Sequence, residues 1–505
     1  MSGRSTQRWH AGGDPPDRAV IDIGSNTVRL VIYSGSRRAP EVFLNEKVSA
    51  KLGRDLSTTG KMPRKAMDHA LTALARYATL LADIEVADVQ TVATAAVRDA
   101  ENGPEFLDRV RALGLSPRLL SGEEEALTSA HGVMGAFPDA HGTVADLGGG
   151  SLELVMIAGG ECHDAVSLPF GTLRLPALRE LGPETFQARV EAELARAGWA
   201  AAHPGPLYMV GGTWRALAAF AMNEAKHPLT DPHGFRLSLE DAERVAKKVA
   251  RMSPAELSPI PGIASSRAAG LPDAAAMLRV MLSDIKPDGL FFSSWGLREG
   301  VLFDRLSEPA KRQDPLLAAI GQFCEPRGGS ITLATMIAAW TADIAGNSGR
   351  NGGERLRLAA TMLALAAARI EPNLRLRHAY DWAMDKRWLG LDPTGRAKLA
   401  AALLGSCGRQ LLPPALHRLA DEEALREAVA WGLAIRLCRR LGAGSRVSLL
   451  TSKLQRESER LVLWVDESRA QLACGPVQGD LKVLAQWLGL AHELRIGEAA
   501  DAVNA

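Results

Sequence analysis

Two copies of one loop constrain this chain more than any other feature. Asp22-Ile23-Gly24-Ser25-Asn26-Thr27 follows the apolar run Ala19-Val20-Ile21, and Asp146-Leu147-Gly148-Gly149-Gly150-Ser151 follows Thr143-Val144-Ala145. In each copy a strand delivers an aspartate, and small residues then let backbone N–H groups approach an anion closely. A second apolar run follows at once, Val28 to Tyr33 and Leu152 to Ile157, which is hairpin spacing. Two such hairpins facing each other would grip a phosphate or a phosphate chain from both sides, with the two aspartates available for a metal. A single glycine turn after a strand is common, but two at equivalent positions are far more specific. A third loop, Met209-Val210-Gly211-Gly212-Thr213, again ends a strand and opens a helix. Its first N–H groups and Thr213 suit an anion, although an ordinary glycine turn with a threonine cap reads the same way.

The periodicity around these loops predicts an α/β chain with a helical end. At 505 residues and 47% hydrophobic, the sequence is too long for one core and too polar for a membrane protein. Residues 1–17 contain Gly12-Gly13 and Pro15-Pro16 with little to bury, and predict a disordered leader. Over 18–137 strands are expected at 18–22, 27–33, 42–50 and 89–94, a short run at 117–120, helices at 65–81 and 105–113, and a helix opened by Ser121. Hairpins first and alternation afterwards imply a mixed sheet with helices on it. The order begins again over 138–306, with strands near Val144 and at 152–157, 165–168, 207–210 and 289–293, and a helix at 183–196. A charged stretch at 308–315 reads as a linker. Residues 316–505 are rich in Ala, Leu and Arg with helical spacing, broken by loops such as 346–353 and 411–414. They predict an all-helical domain, with one short strand pair near 461–465 and 471–473 before a final helix at 481–488.

Ser121-Gly122-Glu123-Glu124-Glu125-Ala126 opens the helix between the two repeats. Ser121 and Glu124 have capping-box spacing, so Glu124 is explained as structural. Glu125 has no such local duty. It either complements the helix dipole or acts as a general base, since an unperturbed glutamate, with a pKa of about 4.3, is ionised at neutral pH. A net charge of +1 gives no global attraction to nucleic acid or membrane. The five scattered cysteines include no Cys-x-x-Cys pair, which argues against a disulfide framework and a zinc site. No apolar run reaches the roughly 20 residues that cross a bilayer, and the start lacks a signal-type stretch. A cytoplasmic protein is expected.

Together, Asp22-Ile-Gly-Ser-Asn-Thr, Ala93-Thr94-Ala95-Ala96-Val97-Arg98, Ser121-Gly-Glu-Glu-Glu-Ala, Asp146-Leu-Gly-Gly-Gly-Ser-Leu-Glu153, Gly211-Gly-Thr and Gly296-Leu-Arg-Glu-Gly resemble the exopolyphosphatase/guanosine pentaphosphate phosphohydrolase (Ppx/GppA) family. Their order and spacing agree across about 18–306. The resemblance implies two actin-like ATPase (ribonuclease-H-like) domains flanking a cleft, and Mg²⁺-dependent release of terminal phosphate. By it Glu125 looks like the catalytic glutamate, Asp146 and Glu153 like metal-side carboxylates, and Arg98 like a phosphate-contacting arginine. Gly24, Ser25, Asn26, Thr27, Gly148, Gly149, Gly150, Ser151, Gly211, Gly212 and Thr213 match the phosphate cradles. Asp22 is a third metal-side residue, or orients the first loop only; Arg98 has the alternative of pairing with Asp99 or Glu101 at the surface. Hard oxygen ligands suit Mg²⁺, which takes one or two carboxylates and keeps several waters.

Two departures stand out. Leu152 occupies a position where a polar residue is more usual, read as the outward side of a strand. Trp214 follows Thr213, and a large ring there would narrow a nucleoside pocket and favour a linear phosphate chain. The C-terminal domain is similar to a degenerate HD-type domain, because the only adjacent His-Asp, His163-Asp164, lies in the second repeat. Its Arg355, Arg357, Arg375, Arg377, Lys386, Arg387, Arg396 and Lys398 either line a groove for a polyanion or form solvated faces. The resulting expectation is an exopolyphosphatase acting on inorganic polyphosphate, with guanosine pentaphosphate 5′-phosphohydrolase as the nearest rival. A non-catalytic sensor of polyphosphate or guanosine tetraphosphate is the rival from another class, and a sugar kinase or ATP-driven chaperone fits the carboxylates less well. A homodimer is expected, with no nucleic acid or membrane partner.

Overall fold

The computed structural model describes residues 15–203, 205–344 and 353–497. Most of the expected leader, residues 1–14, and the loop at 345–352 lie outside them. The chain forms two compact units, Met1–Pro315 and Leu316–Ala505. Among the described residues no helix is long and apolar enough to cross a membrane.

The first unit contains two sheets built on one plan. Strands β1 (Arg18–Ile23), β2 (Val28–Ser34), β3 (Glu41–Val48), β4 (Asp88–Ala93) and β5 (Pro117–Leu119) form a sheet of order β3-β2-β1-β4-β5. Strands β6 (Gly142–Leu147), β7 (Leu152–Ala158), β8 (Glu161–Leu168), β9 (Leu207–Val210) and β11 (Gly289–Ser293) repeat that order as β8-β7-β6-β9-β11. A short edge strand, β10 (Arg236–Ser238), is added beside β11, and the sequence reading had missed it. In both sheets the first three strands are antiparallel neighbours, and the later ones join in parallel. This is the actin-like, ribonuclease-H-like doubling that the resemblance implied.

Burial explains why the central strands are apolar throughout. β1 and β6 are covered on both faces, and in each the aspartate is the one residue of six not fully buried. Helices α1 (Arg64–Asp83) and α2 (Gly103–Arg111) cover one face of the first sheet, with Met67, Leu74, Tyr77, Phe106 and Val110 in its core. Helix α3 (Gly122–Ala136), opened by Ser121, turns its Ala126, Ala130 and Val133 onto the second sheet, against Val144, Val155 and Tyr208. Helix α5 (Leu297–Asp304) crosses the other way: its Val301 and Leu302 pack on Val20, Val31 and Val92 of the first sheet. Each sheet thus borrows a helix from beyond the other, which ties the two halves together. Helix α4 (Gly212–Glu224) follows β9.

The second unit is mainly helical, with α6 (Gly353–Ala367), α7 (Pro372–Met384), α8 (Pro393–Ser406), α9 (Glu422–Gly442) and α10 (Gly475–Leu488) as its longer described helices. The helical character is as expected, but three strands take the place of the one expected strand pair. Strands β12 (Ser452–Glu457), β13 (Arg460–Asp466) and β14 (Ala491–Gly497) form a sheet of order β12-β13-β14. The partner expected for 461–465 was 471–473, but Gln471 and Leu472 are the end of a short 3₁₀ turn (Glu467–Leu472), and β12 and β14 pair with β13 instead.

Candidate active site

The two hairpin loops close in the same way. Gly24 N donates to Thr27 O at 3.0 Å, and Gly148 N donates to Ser151 O at 3.0 Å. Register continues the likeness: Asp22 lies opposite Arg29 on β2, and Asp146 lies opposite Glu153 on β7. The loops approach each other so nearly that a Cβ on Gly149 would stand 3.1 Å from the backbone N of Asn26. Bare backbone at Gly149 is what permits that approach. The third loop joins them at Gly211, whose φ of +112° favours glycine and whose Cβ would meet Leu147 O at 2.6 Å.

One cleft in the first unit gathers these pieces. Gly24 to Thr27, Gly148 to Ser151, Gly211 and Gly212 line it, together with Asp22, Glu125, Asp146 and Glu153. Two expected residues are not on its wall. Thr213 is buried, and its hydroxyl receives a hydrogen bond from Arg267 Nη1 at 3.5 Å. Arg98 stands behind Glu125: its Nη1 donates to Glu125 Oε2 at 3.0 Å and to Leu120 O at 3.1 Å, while its Nε lies 3.4 Å from Asp99. The pairing with Asp99 is therefore present, and Arg98 also fixes the glutamate. Trp214 is fully buried on the inner side of α4 and cannot narrow a pocket. Leu152 is also buried, not outward-facing as expected, because helices cover both sides of this sheet.

Four arginines that the sequence reading passed over line the same cleft: Arg29, Arg215, Arg267 and Arg298. Arg29 had a signal, since it follows Asp22 by the same step that separates Glu153 from Asp146. Arg298 lies in the Gly296-Leu-Arg-Glu-Gly segment that had been noted without a role. Its Nη1 is 3.6 Å from Asp22 Oδ2, and burial opposes its charge while Glu299, Tyr33 and Asp22 sustain it. Glu299 is structural: it accepts from Tyr33 Oη at 3.0 Å and from Gly296 N at 3.2 Å. Burial pulls Arg215 down to about 10, and Arg298, Arg29 and Arg267 add to the effect. Four arginines and five carboxylates, Asp22, Glu125, Asp146, Glu153 and Glu299, thus share one cleft.

The carboxylates are as crowded as the arginines. Glu125 is 12% exposed, and burial raises its carboxyl to about 7 against the pull of Arg98. This corrects the expectation of an unperturbed glutamate. Burial also raises Asp146, which accepts a hydrogen bond from Ser129, and Asp22 beside Arg298. Glu153 is pushed well above the usual range by burial and then by Glu125 and Asp146; it accepts from Ser167 Oγ at 3.0 Å. Among the described residues no three acidic, His or Cys side chains converge as a ready-made metal cage. The trio Asp22, Asp146 and Glu153 therefore does not close on one point, because Asp22 leans to Arg298 and Asp146 to Ser129. Buried carboxylates repelling each other still fit one hard cation completed by phosphate oxygens and water, which asks for only one or two protein ligands.

The profile of the Ppx/GppA phosphatase family matches residues 31–308. This chain belongs to the Ppx/GppA phosphatase family. It is an enzyme of the phosphatase class. Exopolyphosphatase 1 of Mycobacterium tuberculosis is 27% identical over 308 residues, covering 58% of this chain and 88% of that protein. Its counterpart in Mycobacterium leprae is 27% identical, with 58% and 90% covered. Among solved structures, an exopolyphosphatase from Cytophaga hutchinsonii aligns with a TM-score of 0.53 at 26% identity, covering 57% of this chain and 98% of that one. A Ppx/GppA family member from Aquifex aeolicus aligns with a TM-score of 0.50 at 28% identity, covering 57% and 96%. The family match stops short of the second unit.

In that unit the basic residues weighed above as a polyanion groove or solvated faces take different places. Arg357 is buried, bonded to Ala338 O and Thr341 Oγ1 and paired with Glu354. Arg396 is buried against the carbonyls of Ala383, Met384 and Lys386, and Lys398 pairs with Glu427 at 2.9 Å. Arg377 is exposed beside Asp381, 3.7 Å away, and Arg375 stands on the wall of a cavity.

Proposed function

We propose that this enzyme is an exopolyphosphatase that removes terminal orthophosphate from inorganic polyphosphate. The observation that carries the reading is the single cleft in which paired phosphate-sized loops, four arginines and Glu125 meet. The relatives named exopolyphosphatase support it. The cleft encloses about 150 Å³, below the roughly 300–1,000 Å³ of pockets that enclose a drug-sized ligand. The end of a phosphate chain fits, and the rest projects outward.

The loop N–H groups and the N-terminus of α4 hold the terminal phosphoryl oxygens. Arg29, Arg215, Arg267 and Arg298 neutralise the chain and orient it, and charge-assisted hydrogen bonds do this best where water is scarce. Glu125, ionised and held by Arg98, takes a proton from the attacking water. The new bond joins that water oxygen to the terminal phosphorus, the phosphoanhydride bond behind it breaks, and the shortened chain leaves with the bridging oxygen. Mg²⁺, when bound, would be held by Asp146 and Glu153, and would offset charge on the phosphate oxygens.

Phosphate release from long-chain polyphosphate and from guanosine pentaphosphate, measured side by side with Mg²⁺, tests the assignment. Polyphosphate is expected to be the faster substrate. A strong preference for the nucleotide assigns the enzyme to the 5′-phosphohydrolase reaction instead, and binding without any release makes it a sensor.

A further inference from the structure

The second unit contains a charged cavity of its own, of about 650 Å³. Arg375, Arg409, Arg436, Arg439 and Arg440 stand on its wall, with no acidic and no aromatic residue among the lining side chains. Arg436, Arg439 and Arg440 share one face of α9, at the helical spacing that places side chains together. Arg375 comes from α7 and is steadied by the carbonyls of Ala367, Ala368 and Ile370 at the end of α6. Arg409 follows α8 and is exposed; among the described residues it has no side-chain partner.

The local shape supports this gathering of charge. Gly408 has φ +84°, and a Cβ there would lie 2.4 Å from Arg436 Nη1, so the turn after α8 leaves space for that guanidinium. The nearest acid is Asp480 of α10, 3.1 Å from Arg436 Nε and also bonded to Arg440. One carboxylate behind two arginines leaves the wall strongly positive. Burial keeps the Cys407 thiol protonated by raising it, so it adds no negative charge. Burial, together with Arg375 and Arg436, weakens the hold of Arg439 on its proton. Like charges assembled without counter-charge cost a fold stability, and an anion restores the balance.

We propose that this cavity is an anion site for two or more linked phosphate groups, built from residues of the second unit alone and separate from the cleft. A single phosphate would engage only part of a wall carrying five guanidinium groups. The lack of an aromatic surface means that charge is recognised and not a nucleobase. The linked phosphates belong either to a free oligophosphate or to the tail of a nucleotide. The site stands whether or not the cleft acts on polyphosphate.

Calorimetric titration of the full-length protein with methylenediphosphonate, whose bridging carbon resists hydrolysis, tests the proposal. Two sites are expected, one of which weakens at least tenfold in the double variant Arg409→Gln/Arg439→Gln. Adenosine 5′-methylenediphosphonate serves as the second probe. If it occupies the same site, a nucleotide tail is admitted; if it fails where the bare diphosphonate binds, the ligand is a free oligophosphate. Should the double variant melt early, Arg409→Gln alone, on an exposed side chain, is expected to weaken the site at least threefold. Unchanged stoichiometry and affinity in a folded variant would overturn the proposal.

Discussion

Glu125 carries two opposed consequences of being buried. Its carboxyl titrates near 7 in the folded chain against an ordinary value of 4.5, and only the ionised form accepts a proton from water. The rate is therefore expected to rise with pH through about 7. Glu125→Gln should lower turnover by about a hundredfold or more, the scale of a lost general base, and flatten that limb; phosphate release across pH 5 to 9 checks both. Stability runs the other way. Because the folded state holds this proton more tightly than the unfolded chain, the group's stabilising contribution is complete below about 4.5 and lost as pH rises to about 7. Glutamine cannot ionise, so the variant should melt above the parent at pH 8, with no such gain at pH 5. At about 1.4 kcal/mol per unit the gain is bounded near 3.5 kcal/mol. An equal gap at both pH values would mean that another group controls the titration.

At the scale of elements, the approach of two hairpins makes the cleft, and Gly149 is where it can be tested. A Cβ there would meet Asn26 N and Ser25 Cβ at 3.1 Å, both part of or next to backbone that cannot swing away. Gly149→Ala should reduce kcat/KM several-fold and Gly149→Val more, because the added carbons force the two loops apart. A Val variant at full rate would show that the loops need not stay this close. The hairpins themselves were legible because each pairs an apolar strand with a glycine-rich turn, and Ser121 and Glu124 form the capping box that their spacing predicts. Trp214 was misplaced because it was counted from the loop; on the helix it joins Leu217, Ala218 and Ala221 on the buried face. Strand β12 was hidden by Lys453, Gln455, Arg456 and Glu457, residues at home in helices, whose edge position is decided by pairing with β13. Arg215 and Arg267 belong to no repeat, so only the folded chain brings them to the cleft.

Over the whole molecule, the cleft between the glycine loops and the second charged cavity lie in different compact units. The exopolyphosphatase from Cytophaga hutchinsonii aligns along 98% of its own length with only 57% of this chain, so a chain of the first-unit type folds without an extension like this one. Residues 1–315, expressed alone, should therefore remain folded and release phosphate from tripolyphosphate at a rate within about twofold of the full chain. Long chains should fare worse. A polymer of many phosphates offers charge to every basic surface it can reach, and the arginine wall at 375–440 is one; each such contact is weak and screened by salt, but they act together. Removing it should raise the KM for long polyphosphate at least several-fold at low ionic strength and much less at high salt, leaving kcat nearly unchanged. Comparing KM for tripolyphosphate and long-chain substrate, with and without residues 316–505, separates this from a supporting role. Equal loss on both substrates, with a lowered melting temperature, would mean that the second unit stabilises the first and does not gather substrate.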